Sequence, residues 1–118
     1  MSLNISYQGI SLSGEGILAE VITQLNKDLT LSGIEYEFDI DSEKNKFIVT
    51  LLNWTEAMLI ENEHILFNFL YRVDVDQQLI YSNDGLPQEN LLKLILSREL
   101  QKVVLKRQFS SGSNSLLS

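Results

Sequence analysis

The stretch that most limits how this chain can fold is residues 53–73, NWTEAMLIENEHILFNFLYRV. At helical spacing its polar residues Glu61, His64, Asn68 and Arg72 fall three or four apart, on one narrow strip. Most of the remainder is apolar: Met58, Leu59, Ile60, Ile65, Leu66, Phe67, Phe69, Leu70 and Val73. A helix with so thin a wetted strip has to be covered on several sides, so this segment is expected to be the central post of a small core. Asn53 followed by Glu56 has the spacing of a capping box, with Asn in place of Ser or Thr, which starts the helix at Trp54. Twenty residues at about 1.5 Å each span roughly 30 Å, the width of a small domain.

Before this post, Leu18, Val21, Ile22, Leu25 and Leu29 recur at three and four, predicting an amphipathic helix over 15–31 that Ser32 and Gly33 stop. The next segment, IEYEFDID, alternates Ile34, Tyr36, Phe38 and Ile40 with Glu35, Glu37, Asp39 and Asp41, the pattern of a strand with one face in the core. Polar SEKNK then leads into FIVTLL, which reads as a second strand, and the two together predict an antiparallel hairpin. Residues 6–13 have the pattern of a short edge strand, with Ile10 and Leu12 on one side and a break at Gly9. After the post, a further turn or two of helix is expected through Leu79, Ile80 and Tyr81. Ser82, Asn83, Asp84 and Gly85 are turn chemistry, and Pro87 suits the first position of a last helix over 87–109. The fold class that results is α+β: a small single domain in which an antiparallel hairpin packs with three main helices. A mostly helical bundle with a short hairpin is the alternative. Residues 1–109 form the globular unit, and 110–118 form a flexible Ser-rich tail.

Composition narrows the function classes. The chain has 118 residues, 44% of them hydrophobic, enough for one core without outside staples. It has no cysteine, which removes disulfides, thiolate metal sites and cysteine nucleophiles together. The start has neither a basic segment nor an apolar run, and no apolar run approaches the roughly 18 residues that span a bilayer, so the expected location is cytoplasmic. Charge is uneven. Residues 1–91 carry fifteen acids against four bases, a net −11, whereas 92–118 carry five bases against Glu99, a net +4. An acidic body argues against nucleic acid or an anionic membrane as the main partner.

Three motifs invite chemistry. Gly14, Gly16 and Ala19 fit G-x-G-x-x-A, the phosphate-binding turn of dinucleotide folds, at the opening of a helix. Against it, Glu15 puts a negative charge beside the pyrophosphate and the preceding strand is weak; the plainer reading is a loosened turn with Ser13 capping the helix. Asp39, Asp41, Glu43 and Asn45 alternate like the opening of a calcium loop, but Lys44 replaces the turn glycine and Thr50 the bidentate Glu. They read as a solvated strand face, whose carboxylates discourage edge pairing. His64 is the single histidine, which leaves no zinc site of the common types, and it lies on the polar strip as a surface residue. Trp54, Phe67, Phe69 and Tyr71 read as core. No catalytic residue, cofactor or metal site is expected.

The last helix stands out. Leu92, Leu96, Leu100 and Val103 form one apolar stripe, and Leu91, Leu94, Ile95 and Leu105 occupy a second sector. Between them Arg98, Lys102 and Lys106 make a cationic ridge at i, i+4 and i+8. Two sectors on one helix predict two surfaces, its own core and a partner. The expectation is a non-enzymatic protein-interaction or assembly module, most simply a homodimer, using Leu91, Leu94, Ile95, Arg98, Lys102, Leu105 and Lys106. The alternative is a small nucleotide- or phosphate-binding protein using the turn at 14–19.

Overall fold

The computed structural model describes residues 3–81 and 85–117, with side chains described as far as Ser110. Two short strands, β1 (Ser6–Tyr7) and β2 (Ile10–Ser11), are followed by helices α1 (Ile17–Leu31), α2 (Lys44–Glu61) and α3 (Glu63–Val73). A 3-10 helix (Gln77–Ile80) and a long α4 (Pro87–Leu117) complete the chain. The α+β class holds. The hairpin that supplies its β component is near the N-terminus, and among the described residues the α-helices number four.

The N-terminal hairpin is antiparallel, with Tyr7 opposite Ile10, and Leu12 N–H closes on Ile5 O at 2.9 Å. Its two-residue turn holds Gln8 at φ 51° and Gly9 at φ 78°, the left-handed pair that matches the twist of the flanking strands. So Gly9 turns the segment back on itself where a single edge strand was expected. Leu3, Ile5 and Leu12 are buried as a result.

The hairpin expected over 34–52 does not form. FIVTLL lies inside α2, where Phe47, Ile48, Leu51, Trp54 and Thr55 are buried at i, i+1, i+4, i+7 and i+8. That helical period runs straight through the expected start at Asn53, which is an exposed residue in mid-helix. The break in the expected post comes instead at Asn62, between α2 and α3, where φ is −142° and ψ is 48°. The wet strip is also wider than expected, because Ile60, Ile65 and Tyr71 are exposed alongside His64, Asn68 and Arg72.

Residues 34–39 contain no turn or bend and pair with no strand. The expected helix stop before them does form: Gly33 has φ 78°, Gly33 N–H reaches Thr30 O, and Ile34 N–H reaches Leu29 O. Phe38 anchors the segment in an aromatic corner. Its ring lies 4.8 Å from Tyr36, 5.6 Å from Phe47 and 6.0 Å from Trp54, and Trp54 lies 5.8 Å from Phe69.

The central post is α4. It packs on α1, α2, α3, β1 and the 3-10 helix, and Leu91, Leu92, Ile95, Leu96, Leu100, Val103 and Val104 are all buried. The long dimension of the molecule, 51 Å, matches the roughly 46 Å of a 31-residue helix. Pro87 begins α4 as expected, and Asn90 Nδ2 ties it to Ile80 O at 2.9 Å. The turn expected at 82–84 and most of the tail expected at 110–118 fall outside the residues whose side chains are described.

Candidate functional site

The two amphipathic stripes read from the sequence, on α1 and α4, meet in an antiparallel seam: Glu20 pairs with Arg107 near one end and Asp28 with Lys102 further along. Inside this seam sits the most unusual chemistry of the molecule. Asp28 and Glu99, both buried, lie within reach of one ammonium. Lys102 Nζ is 2.9 Å from Asp28 Oδ2 and 3.6 Å from Glu99 Oε1. Gln24 Nε2 donates to Asp28 Oδ1 at 3.2 Å. Glu99 is fully buried, and as a carboxylate neither of its oxygens would find a hydrogen-bond donor. Burial, then the hydrogen bond and negative charge of Asp28, push its pKa from 4.5 up to about 9, against a smaller pull from Lys102. With its pKa raised to about 9, Glu99 keeps its proton at pH 7.

Sequence reasoning passed over this cluster although its signal was present. Asp28 stands three residues after Leu25 and one before Leu29, and Glu99 falls four after Ile95 and four before Val103. Both acids thus interrupt apolar stripes. An acid inside an apolar stripe is a buried acid, and two such stripes facing each other make a pair.

Outward from the cluster, α1 and α4 splay into a groove of about 560 Å³. Thr23, Gln24 and Lys27 line it from α1, and Val103, Lys106 and Ser110 from α4. Among the described residues Lys27 and Lys106 make no ion pair.

The residues expected to bind a partner are divided between roles. Leu91 and Ile95 are fully buried in the chain's own core, so they are closed to a partner. The N-terminal strand β1 and the 3-10 helix both pack on α4, so the chain itself supplies cover beyond the α1 seam. Leu94 is half-buried against that core. Arg98 is occupied within the chain: its Nε donates to Val73 O at 3.2 Å and its Nη1 to Gln101 Oε1 at 2.9 Å. Lys102 belongs to the buried cluster. Leu105 is half-buried and Lys106 exposed. Among the described side chains the last buried position on α4 is Val104, and Phe109, one turn past Leu105, is 73% exposed.

The turn at 14–19 closes on itself. Gly14 N–H bonds Ser11 O at 2.9 Å, and Ile17 N–H bonds Gly14 O at 3.1 Å. Gly16, at φ 75°, occupies the cap position of α1 with no side-chain cap; Ser13 does not cap it, and its hydroxyl instead accepts from Lys44 Nζ at 2.6 Å. β2 pairs antiparallel with β1, and 34–39 after α1 pairs with no strand, so the parallel β-α-β setting of a dinucleotide turn does not arise. The calcium-like alternation ends at Glu43, the residue before α2, with Asn45 already helical. His64 is exposed on α3, as its place on the polar strip predicts. No helix of the described residues is long and apolar enough to cross a membrane. The chain matches no protein-family model, no curated protein and no solved structure.

Proposed function

We propose that this protein is a non-enzymatic interaction module that docks an acidic protein surface, in the simplest case a second copy of itself, against the outer part of α4. The observation that carries this reading is Phe109: a large ring, 73% exposed, five residues beyond the last buried position described on its helix, Val104. Leu105 lies four residues before it and Lys106 three, so the three share one face, apolar with a cationic flank. An aromatic anchor beside a cation suits an apolar spot rimmed by carboxylates. The body of the chain has that charge, a net −11 over residues 1–91. Steering by unlike charge sets orientation and encounter rate, and the ring with Leu105 supplies most of the affinity. This surface is smaller than the one expected from sequence, because Leu91, Ile95, Arg98 and Lys102 are engaged within the chain.

Light scattering over a range of concentrations tests it. The wild type should show a growing dimer fraction at tens of micromolar, Phe109→Glu should remain monomeric with unchanged helicity, and Lys106→Ala should weaken association and flatten its salt dependence. A wild type that stays monomeric throughout overturns the homodimer.

A further inference from the structure

The segment 34–39 is built like one strand of a sheet whose neighbour is missing. In extended chain the N–H and C=O of one residue point to the same edge, and successive residues point to opposite edges. Ile34 and Phe38 bond to α1. Ile34 N–H bonds Leu29 O at 3.0 Å, and the Asn26 amide grips Phe38 twice, accepting from its N–H at 2.8 Å and donating to its C=O at 2.9 Å. Asn26 thus does for this edge what a paired strand would do. By the same alternation the backbone groups of Glu35 and Glu37 point to the other edge, while both residues, with Thr23, Lys27 and Thr30 of α1, line a shallow groove. Neither the N–H nor the C=O of Glu35 or Glu37 has a hydrogen-bond partner among the described residues. The segment is nonetheless fixed in place, by the Asn26 clamp and by the Phe38 ring, which is 3% exposed.

We propose that this outer edge accepts an extended segment of a cationic partner, which adds as a strand beside Glu35 and Glu37. Four backbone groups, already held in line, offer the hydrogen bonds of one antiparallel pairing unit at each residue. The side chains decide what can use them. Glu35, Glu37 and Asp39 are exposed on one face, so a strand bearing Lys or Arg at alternate positions meets them with opposite charge across the pair. On the other face Tyr36 is 41% exposed, an apolar flank for the partner's intervening residue. A second copy of this segment is disfavoured, because its own carboxylates would stand opposite these. The same charges that keep copies apart therefore select a basic strand. This surface is separate from the end of α4, and either assignment can fail without the other.

The probe is a capped octapeptide alternating lysine and valine, titrated into the full-length, 15N-labelled protein. The expected result is saturable binding with shifts at the Glu35 and Glu37 amides and hydrogen exchange there slowed roughly tenfold or more, while Ile34 and Phe38 change little. Glu37→Pro, which removes one donor at an exposed position, should abolish the protection without loss of helicity. A peptide methylated at its backbone nitrogens should bind at least about tenfold more weakly, having lost its donors. No binding overturns the proposal. So does binding that N-methylation and Glu37→Pro leave unaltered, since that would be adhesion to an acidic face. Protection of Glu35 and Glu37 that rises with protein concentration alone would assign the edge to a second copy and overturn the cationic partner.

Discussion

Two parts of one core are held together by opposite means. In the aromatic corner, Phe38, Phe47, Trp54 and Phe69 meet edge to face at 5.6 to 6.0 Å, with no ionisable group among them. In the α1–α4 seam, Asp28, Glu99 and Lys102 sit among Leu25, Leu29, Ile95 and Val103 on the buried faces of the same two helices. The corner draws its stability from area removed from water, which pH does not alter. The seam depends on a proton count. It depends on Glu99 keeping its proton, since losing that proton leaves a charge buried. One region is robust and unspecific; the other fixes which faces of α1 and α4 meet and does so conditionally.

The largest effect should come from emptying the corner. Phe69 is fully buried and contacts Trp54 at 5.8 Å, so Phe69→Ala should cost about 3–5 kcal/mol. Against a typical stability of roughly 5–15 kcal/mol that is a large share. The loss should be the same at pH 5 and pH 8, measured by urea denaturation. A loss that varies with pH would mean the two regions are coupled, and the comparison would fail.

The seam should answer the complementary experiment. Glu99 has a folded-state pKa of about 9 against 4.5 unfolded, so the folded chain holds a proton that the unfolded chain releases. The group's contribution is complete below about pH 4.5, declines as pH rises, and is lost above about pH 9. Glu99→Gln keeps the shape and the donor but removes the titration. The variant should be more stable than wild type at pH 7 by about 1–3 kcal/mol and nearly equal to it at pH 5. Parallel stability profiles for the two proteins would show Glu99 ionised in the fold and would remove the distinction drawn between seam and corner.

Both regions were partly legible in the sequence, for different reasons. The α1 stripe and its Ser32–Gly33 stop appear as expected, because a 15-residue helix closed by a left-handed glycine states its period and its end together. The α4 start at Pro87 and the burial of Leu92, Leu96, Leu100 and Val103 follow from the same kind of signal. FIVTLL misled because six residues, five of them apolar and half of them β-branched, satisfy a strand and a buried helix equally. Only continuation through Trp54 and Thr55 decides between them. Asn53 had a cap's spacing without a cap's position, and the true interruption at Asn62 is marked by nothing stronger than one Asn among acids. The partner surface was overstated for a topological reason. Whether a second apolar sector faces solvent depends on what the first dozen residues do, and their hairpin rests on a Gln-Gly turn that the sequence signals weakly.

The smallest effect gives the sharpest contrast, because it concerns the same chemistry as the seam at a different depth. Asp74 pairs with Arg98 of α4 at 3.4 Å, as Asp28 pairs with Lys102, but the Asp74 side chain is 84% exposed and that of Asp28 only 6%. An exposed pair at that distance contributes little, about 0–1 kcal/mol, since water screens it and two long side chains must be ordered to make it. Asp74 also carries a backbone cost. At φ 68° it is the left-handed residue ending α3, with Val75 N–H reaching back to Leu70 O at 3.0 Å, the position glycine fills most cheaply. Arg98 keeps its bonds to Val73 O and Gln101 whatever stands at 74. Asp74→Gly should thus trade a weak ion pair for relief of backbone strain, leaving stability within about 0.5 kcal/mol of wild type and no more sensitive to salt. A loss above 2 kcal/mol (roughly the value of a charge-assisted hydrogen bond) would show that the Asp74–Arg98 contact behaves as a buried pair does. Burial would then no longer separate these two of α4's ionic contacts, and their difference would have to lie in the partners each cation keeps.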